Sequence, residues 1–445
     1  MRSFVLAMFA LLMLCGTSYV VFADPVQYVP PYRYTITVDN HSLSLPMIFN
    51  GDPSEPHPEA TRAVLYTSNG TREVVPIGQT LVDARDLADV DSASVLMVGL
   101  QYLYEVDIEE HDLDDDVAFW KHEHWFIGNL SDSTDTHPRP VKISAYAWMD
   151  TLLAQVVSLN PQIETISFLG ESAGGKFFQR YAATTRLPYE MDLPELIFVT
   201  VNNGSFLYFD EYRFDLDDEW SIPGPINQSF VPKYNQWPYG LEELNEYTTE
   251  TGAQVIFDNF PSRNMFHFIG EEDNGLNSDD KPMNMQGMNN IMRHVFYWDH
   301  LHHLWGNGIE ATQQVVIMED YGHEGHAIVR SPACRNALFL YDPSTSVDET
   351  GNANGALPAS VELTSYPNPF NPSATVKLYL PSPGEVRVSV FNLLGESVAT
   401  LAHEEMAAGT HTFTFDGSEM SSGVYFVQVV APGQIYKTKK ITLVK

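Results

Sequence analysis

The chain has 445 residues, 44% of them hydrophobic, and a formal charge of −34 from 24 Lys and Arg against 58 Asp and Glu. A surface this acidic repels nucleic acid and anionic membranes, so nucleic-acid binding is not expected. There are only two cysteines, and Cys15 lies in a leader-like start, so no intrachain disulfide is expected and buried apolar cores must hold the fold.

Residues 1–23 read as a signal peptide. Arg2 supplies the positive start, Phe4 to Leu14 the apolar run, and Val21-Phe22-Ala23 a small-residue cleavage site. Cys15 raises a lipid-anchored alternative, against which Leu14 is too large for an attachment box. No later stretch is long and apolar enough to span a bilayer, so no transmembrane segment is expected after the leader is removed.

Residues 24–341 alternate apolar strands with helical stretches. Strands are predicted at Tyr34–Val38, Ala63–Tyr66, Ser94–Val98, Ile166–Leu169, Leu196–Val201, Met265–Ile269 and Gln314–Met318. Helices are predicted at Ala145–Ser158, Gly175–Thr185 and Met288–Trp305. Such alternation means a mostly parallel sheet with helices on both faces. A long aromatic insertion, about 206–252, holds Trp220, Trp237 and Tyr239 and reads either as a cap over the site or as core. Residues 342–359 are poor in apolar side chains and read as a linker. Residues 360–445 carry short alternating runs punctuated by Gly and Pro, such as Val386–Val390, His411–Phe415 and Val424–Val430, the pattern of a small antiparallel, immunoglobulin-like sandwich. From Val361 onward six Lys and Arg face seven Asp and Glu, a net −1, so the acidity belongs to the region before it.

The most informative residues are Gly170-Glu171-Ser172-Ala173-Gly174-Gly175, between an apolar strand and a helix. Gly-x-Ser-x-Gly at such a junction is a nucleophile elbow, and side chains two positions either side of the serine would collide with strand and helix. The similar Gly395-Glu396-Ser397 lacks the closing glycine. A serine hydroxyl needs a histidine to take its proton and a carboxylate to orient that histidine. On a sheet with an elbow these follow in the order serine, acid, histidine. Asp273, in Gly270-Glu-Glu-Asp273 after one predicted strand, is the favoured acid over Glu271, Glu272 and Asp279. His323, after the next strand and preceded by Gly322, is favoured over His326. For the oxyanion, the N–H of Ala173 should supply one donor and the loop Ser68-Asn69-Gly70-Thr71-Arg72 the other, with Thr71 ahead of Gly70.

These stretches resemble the α/β-hydrolase superfamily, and more narrowly a secreted esterase-like group. The resemblance rests on Asn69–Arg72, Gly170–Gly175 running into Gln179-Arg-Tyr-Ala182, Asn202–Asp210, Trp237–Gly240, Gly270–Asp273, Gln286-Gly287 with Arg293, and Gly322-His323. It implies an α/β-hydrolase fold and hydrolysis of carboxylic esters, small or polymeric. The group has histidine where this chain has Asn69 and Glu171. Residues Tyr366–Pro372, Val390–Gly395, Ser422–Phe426 and the basic Lys437–Lys445 resemble the C-terminal sorting domain of the type IX secretion system. That implies export through the periplasm, the secretion machinery as a partner, and a mature form secreted or held at the outer surface.

No cofactor and no metal site is expected. His323-Glu-Gly-His326 spaces its histidines three apart, not the four of a zinc-protease helix. Asp299-His-Leu-His-His303 reads as the polar side of a helix. The acidic run Asp107–Asp116 lacks the spacing of a calcium loop. Two alternatives stand beside an esterase: a peptidase or amidase of the same fold, and a surface binding protein whose hydrolase site has decayed.

Overall fold

The structure is a computed structural model that describes residues 24–215, 219–221, 233–275, 281–287, 289–318, 320–341, 361–381, 383–392, 397–430 and 436–445. The leader, the whole linker, Asp279 and the Gly395-Glu396 of the second Gly-Glu-Ser lie outside the described residues.

Eight strands build one sheet: β1 (Arg33–Val38), β2 (His41–Phe49), β3 (Arg62–Thr67), β4 (Val95–Leu100), β5 (Thr165–Glu171), β6 (Glu195–Val201), β7 (Asn264–Gly270) and β8 (Gln313–Met318). Their order across the sheet is β1-β2-β4-β3-β5-β6-β7-β8. From β4 to β8 every neighbouring pair is parallel, while β1–β2 and β2–β4 are antiparallel. The central strands β4 and β5 are buried along their whole length, as a sheet covered on both faces requires.

The covering helices include α1 (Val74–Leu87), α2 (Ala145–Leu159), α3 (Ala173–Thr184) and α4 (Asn290–Trp305). Successive strand residues go to opposite cores. Leu65, Phe168 and Phe198 join Trp148, Phe177, Phe178 and Tyr297 in one core. Val64, Leu169 and Val199 join Ile77, Leu81 and Leu338 in the other. The mostly parallel sheet with helices on both faces is what the alternation predicted, and its strand order is that of the α/β-hydrolase fold implied by the resemblance.

The seven predicted strands are all present, each within two residues at its ends. The pattern missed β2, where Pro46 interrupts the run, and α1, whose Pro76 falls in the first turn where proline is tolerated. The start of the aromatic insertion, Phe206 to Phe209, is core: Phe206 stacks on Tyr297 at 4.0 Å and Tyr208 lies against His300, while Trp237 and Tyr239 further on are half-buried. Arg180, fully buried on α3, ties the insertion down through the Pro238 carbonyl at 2.9 Å.

The C-terminal region is two antiparallel sheets. One comprises β9 (Glu362–Tyr366), β10 (Ser373–Leu380) and β13 (Gly409–Asp416). The other comprises β11 (Gly384–Asn392), β12 (Ser397–Met406), β14 (Gly423–Val430) and β15 (Tyr436–Leu443), in the order β12-β11-β14-β15. Val376, Leu378 and Phe415 from the first meet Val386, Val388, Val427 and Ile441 from the second in a core of their own.

Candidate active site

Ser172 lies between the end of β5 and the start of α3, with φ 52° and ψ −107°. That conformation is strained for a residue with a side chain. A Cβ on Gly170 would run into the Gly174 carbonyl, and one on Gly174 would meet Ser68 O. The turn therefore closes only with glycine at both positions. Ser172 N–H donates to Val201 O at 2.8 Å, which anchors the elbow to β6. Lys176 N–H donates to Ser172 O at 3.0 Å, so the helix starts directly behind the serine.

Asp273 follows the C-terminal end of β7 and is buried, 3% exposed. Its Oδ2 is 2.7 Å from His323 Nδ1. Its Oδ1 accepts the Asn290 amide at 3.0 Å, and its backbone O accepts Ile291 N–H at 3.4 Å. The carboxylate is thus held from two sides, one oxygen for the imidazole and one for the start of α4. His323 is about half exposed, and its pKa is raised above the ordinary value, chiefly by the hydrogen bond to Asp273, with burial opposing and the charges of Asp273, Glu171 and Glu324 adding. The competing histidine, His326, instead bonds Thr80 Oγ1 on α1 through Nδ1 at 2.6 Å. Of the competing acids, Glu271 pairs with Arg387 and Glu272 is exposed.

Because β5 to β8 run parallel, the loops bearing Ser172, Asp273 and His323 all leave the same edge of the sheet. Asn202, at φ 50° after β6, stands between them. Its Oδ1 accepts Gly270 N–H at 3.1 Å and its Nδ2 faces Gly322 O at 3.5 Å, joining the acid loop to the histidine loop. A Cβ on Gly270 would strike the Gly322 carbonyl, and one on Gly325 would strike the Glu171 carboxylate. The chain beside Ser172 therefore packs directly on the histidine loop.

In the loop from which the second oxyanion donor is expected, Thr71 N–H already has a partner. Asn69 Oδ1 accepts both Thr71 N–H at 3.0 Å and Thr71 Oγ1 at 2.7 Å, a local turn that engages the expected donor. Gly70 also lies beside the elbow, its Cβ position 4.0 Å from Ala173 Cβ. Asn69 Nδ2 donates to Glu171 Oε2 at 3.2 Å. The two positions at which the chain departs from the group it resembles are therefore hydrogen-bond partners.

Asn290 was not singled out by sequence reasoning, and Asn202 entered it only as the start of a resembling stretch. Next to Asn289, which caps α4 by accepting Met292 N–H at 2.9 Å, Asn290 reads as part of the same helix start. Arg293, fully buried, donates to Gly204 O, Gly287 O, Asn284 Oδ1 and Asn290 Oδ1, which fixes the amide that holds Asp273. Asp107, the first residue of the acidic run, is a buried partner of Arg72 at 2.8 Å, also accepting Val26 and Tyr104 N–H. One expectation about a charged cluster is corrected. His300 lies not on the polar side of α4 but in the core, where Nε2 accepts Phe209 N–H at 3.2 Å. Among the described residues, Glu105, Glu109 and His137 are the one group of side chains close enough to share a metal ion.

Fold and edge geometry together define an α/β-hydrolase-fold chain. Residues 364–444 match the model of the secretion system C-terminal sorting domain, so the chain carries a domain that addresses it for secretion or cell-surface export. No curated protein matches the chain. Among solved structures it is similar to a poly(3-hydroxybutyrate) depolymerase from Bordetella parapertussis, at 16% identity and TM-score 0.45 over 70% of this chain and 91% of that one. It is also similar to a siderophore hydrolase from Aspergillus nidulans, at 14% identity and TM-score 0.32 over 71% and 95%. A carboxyl esterase from Tuber melanosporum gives 10% identity and TM-score 0.33 over 71% and 87%. The strand order itself, not these distant likenesses, carries the fold. No helix among the described residues is long and apolar enough to cross a membrane.

Proposed function

We propose that the chain is an exported serine hydrolase that cleaves carboxylic esters, with Ser172 as nucleophile, His323 as base and Asp273 as the acid that orients it. The observation that carries this reading is the 2.7 Å contact of His323 Nδ1 with a buried Asp273, at the sheet edge where Ser172 occupies a strained elbow. With Asp273 accepting at Nδ1, His323 Nε2 is left as the proton acceptor.

Ser172 Oγ attacks the acyl carbonyl as its proton passes to Nε2. Collapse of the tetrahedral oxyanion expels the alcohol, which leaves with that proton. Water then attacks the acyl-enzyme by the same route, releasing the acid and restoring the serine. The oxyanion is held by Ala173 N–H at the start of α3 and, because Thr71 N–H is engaged, by Gly70 N–H. Each such donor contributes about 3 kcal/mol to the transition state. Preference for esters over amides rests on the resemblance of the sequence to secreted esterase-like proteins.

A fluorophosphonate probe is expected to label Ser172, and Ser172→Ala is expected to abolish both labelling and turnover of short p-nitrophenyl esters with the thermal transition unchanged. Retained turnover in that variant overturns the assignment. An unlabelled, inert wild-type chain would favour a binding protein, and equal turnover of an ester and its matching anilide would favour an amidase.

A further inference from the structure

The outward face of the four-stranded sorting sheet is not a solvent face. Along β11 the residues Val386, Val388 and Val390 point into the sandwich core, so Arg387, Ser389 and Phe391 point away from it. Along β14, Val427 and Val429 point inward, and Phe426 and Gln428 outward. An outward face should be exposed, yet Ser389, Phe391, Phe426 and Gln428 are each at most 7% exposed. What covers Phe391, Phe426 and Gln428 is the first half of α4: Phe296 meets Phe426 at 5.6 Å between ring centroids, and Ile291, Met292 and Val295 line the same seam. Phe426 is counted in the core of the catalytic unit rather than in that of its own sandwich. At the margin of the seam Arg387 Nη1 donates to Glu271 Oε2 at 2.7 Å, both side chains largely buried.

Both catalytic-unit elements reached by this contact are the ones that hold Asp273. Glu271 lies two residues before it in the same loop, whose next residue, Glu272, bonds the histidine loop through Tyr321 O at 2.8 Å. Asn290 and Ile291, at the start of α4, bond the Asp273 side chain and backbone. We propose that Arg387 of the sorting domain is a positioning residue for the hydrolase site, bracing through Glu271 the loop that presents Asp273 to His323. The proposal rests on the hydrolase reading above, and it assigns the attached sorting domain a second role, bracing the loop that carries Asp273. The dyad is formed in the docked state and His323 stays half exposed, so the contact supports the site rather than shutting it.

The test is a charge swap in the full-length chain. Arg387→Glu, which sets two carboxylates against each other, is expected to lower kcat for a p-nitrophenyl ester roughly three- to thirtyfold with little change in KM. Glu271→Arg is expected to do the same, and the double variant to recover most of the loss. A role in stability alone would shift the thermal transition without this kcat-selective loss and rescue. Hydrogen exchange of the amides of residues 270–274 is read in parallel, and in Arg387→Glu it is expected to quicken. If turnover and exchange match wild type in both single variants, the brace is overturned. Should the wild-type chain prove unlabelled at Ser172, the hydrolase reading fails, while the exchange arm still decides whether Arg387 holds the loop.

Discussion

The two folded units bury very different chemistry. The hydrolase-fold unit buries Arg72, Arg180, Arg213 and Arg293, three histidines (His267, His294 and His300) and asparagines such as Asn202 and Asn290. In the sorting sandwich, among the described residues, the buried polar side chains are Ser389 and Gln428, and both lie on the face that meets α4 rather than in the sandwich core. A buried polar group costs free energy unless it is hydrogen-bonded, so it is found where a geometry must be held. The hydrolase-fold unit uses buried arginines to fix loops at one sheet edge: Arg293 through Asn290 to Asp273, Arg180 to the insertion. The sandwich has no such edge to fix, and its apolar alternation suffices.

The contrast can be broken at several points. The largest effect is expected from Asp273→Asn, which removes the charge that orients and stabilises the imidazolium. Ester turnover should fall by about three to four orders of magnitude, with the fold intact by circular dichroism. Next comes Arg293→Met, which leaves four oxygen acceptors in a buried region without their donor. It should destabilise the catalytic unit by about 3 kcal/mol in a denaturant titration, and a loss below 1 kcal/mol would show that the buried arginine network is dispensable.

Val427→Ala in the sandwich core should cost about 2 kcal/mol. The loss should appear in the sorting-domain transition by calorimetry, with ester turnover unchanged at temperatures where both units are folded. A matching drop in the catalytic transition would mean that the two cores unfold as one.

The smallest effect sharpens the comparison through charge. Glu171 is among the groups that raise the pKa of His323. Activity requires the neutral imidazole and is lost as pH falls through that raised value. Glu171→Gln removes a negative charge, lowers the pKa, and should move the acid limb of kcat/KM to lower pH. A limb that stays in place would show that Glu171 acts only by orienting Asn69.

Much was legible before any coordinates. Apolar runs between helical stretches gave seven of the eight sheet strands, because a strand buried on both faces cannot hide its hydrophobicity. The elbow was legible because its glycines answer to local sterics. His323 and Asp273 could be nominated from their places after strands, but His326, Glu271 and Glu272 stood equally close in the chain, and only through-space partners separate them: Thr80 for His326, Arg387 for Glu271.

The amino-acid order by itself determined the alternation of strands and helices, the serine turn and the boundary between an acidic unit and a near-neutral sandwich, since these follow from neighbours along the backbone. Tertiary structure alone decided that Asn69 and Glu171 are partners, that Thr71 N–H is engaged, that Asn290 holds Asp273, and that the outward face of the sorting sheet is buried on α4. Each of those depends on atoms brought together from distant parts of the chain, and hydrogen bonds and packing are set by separation in space, for which position in sequence carries no signal.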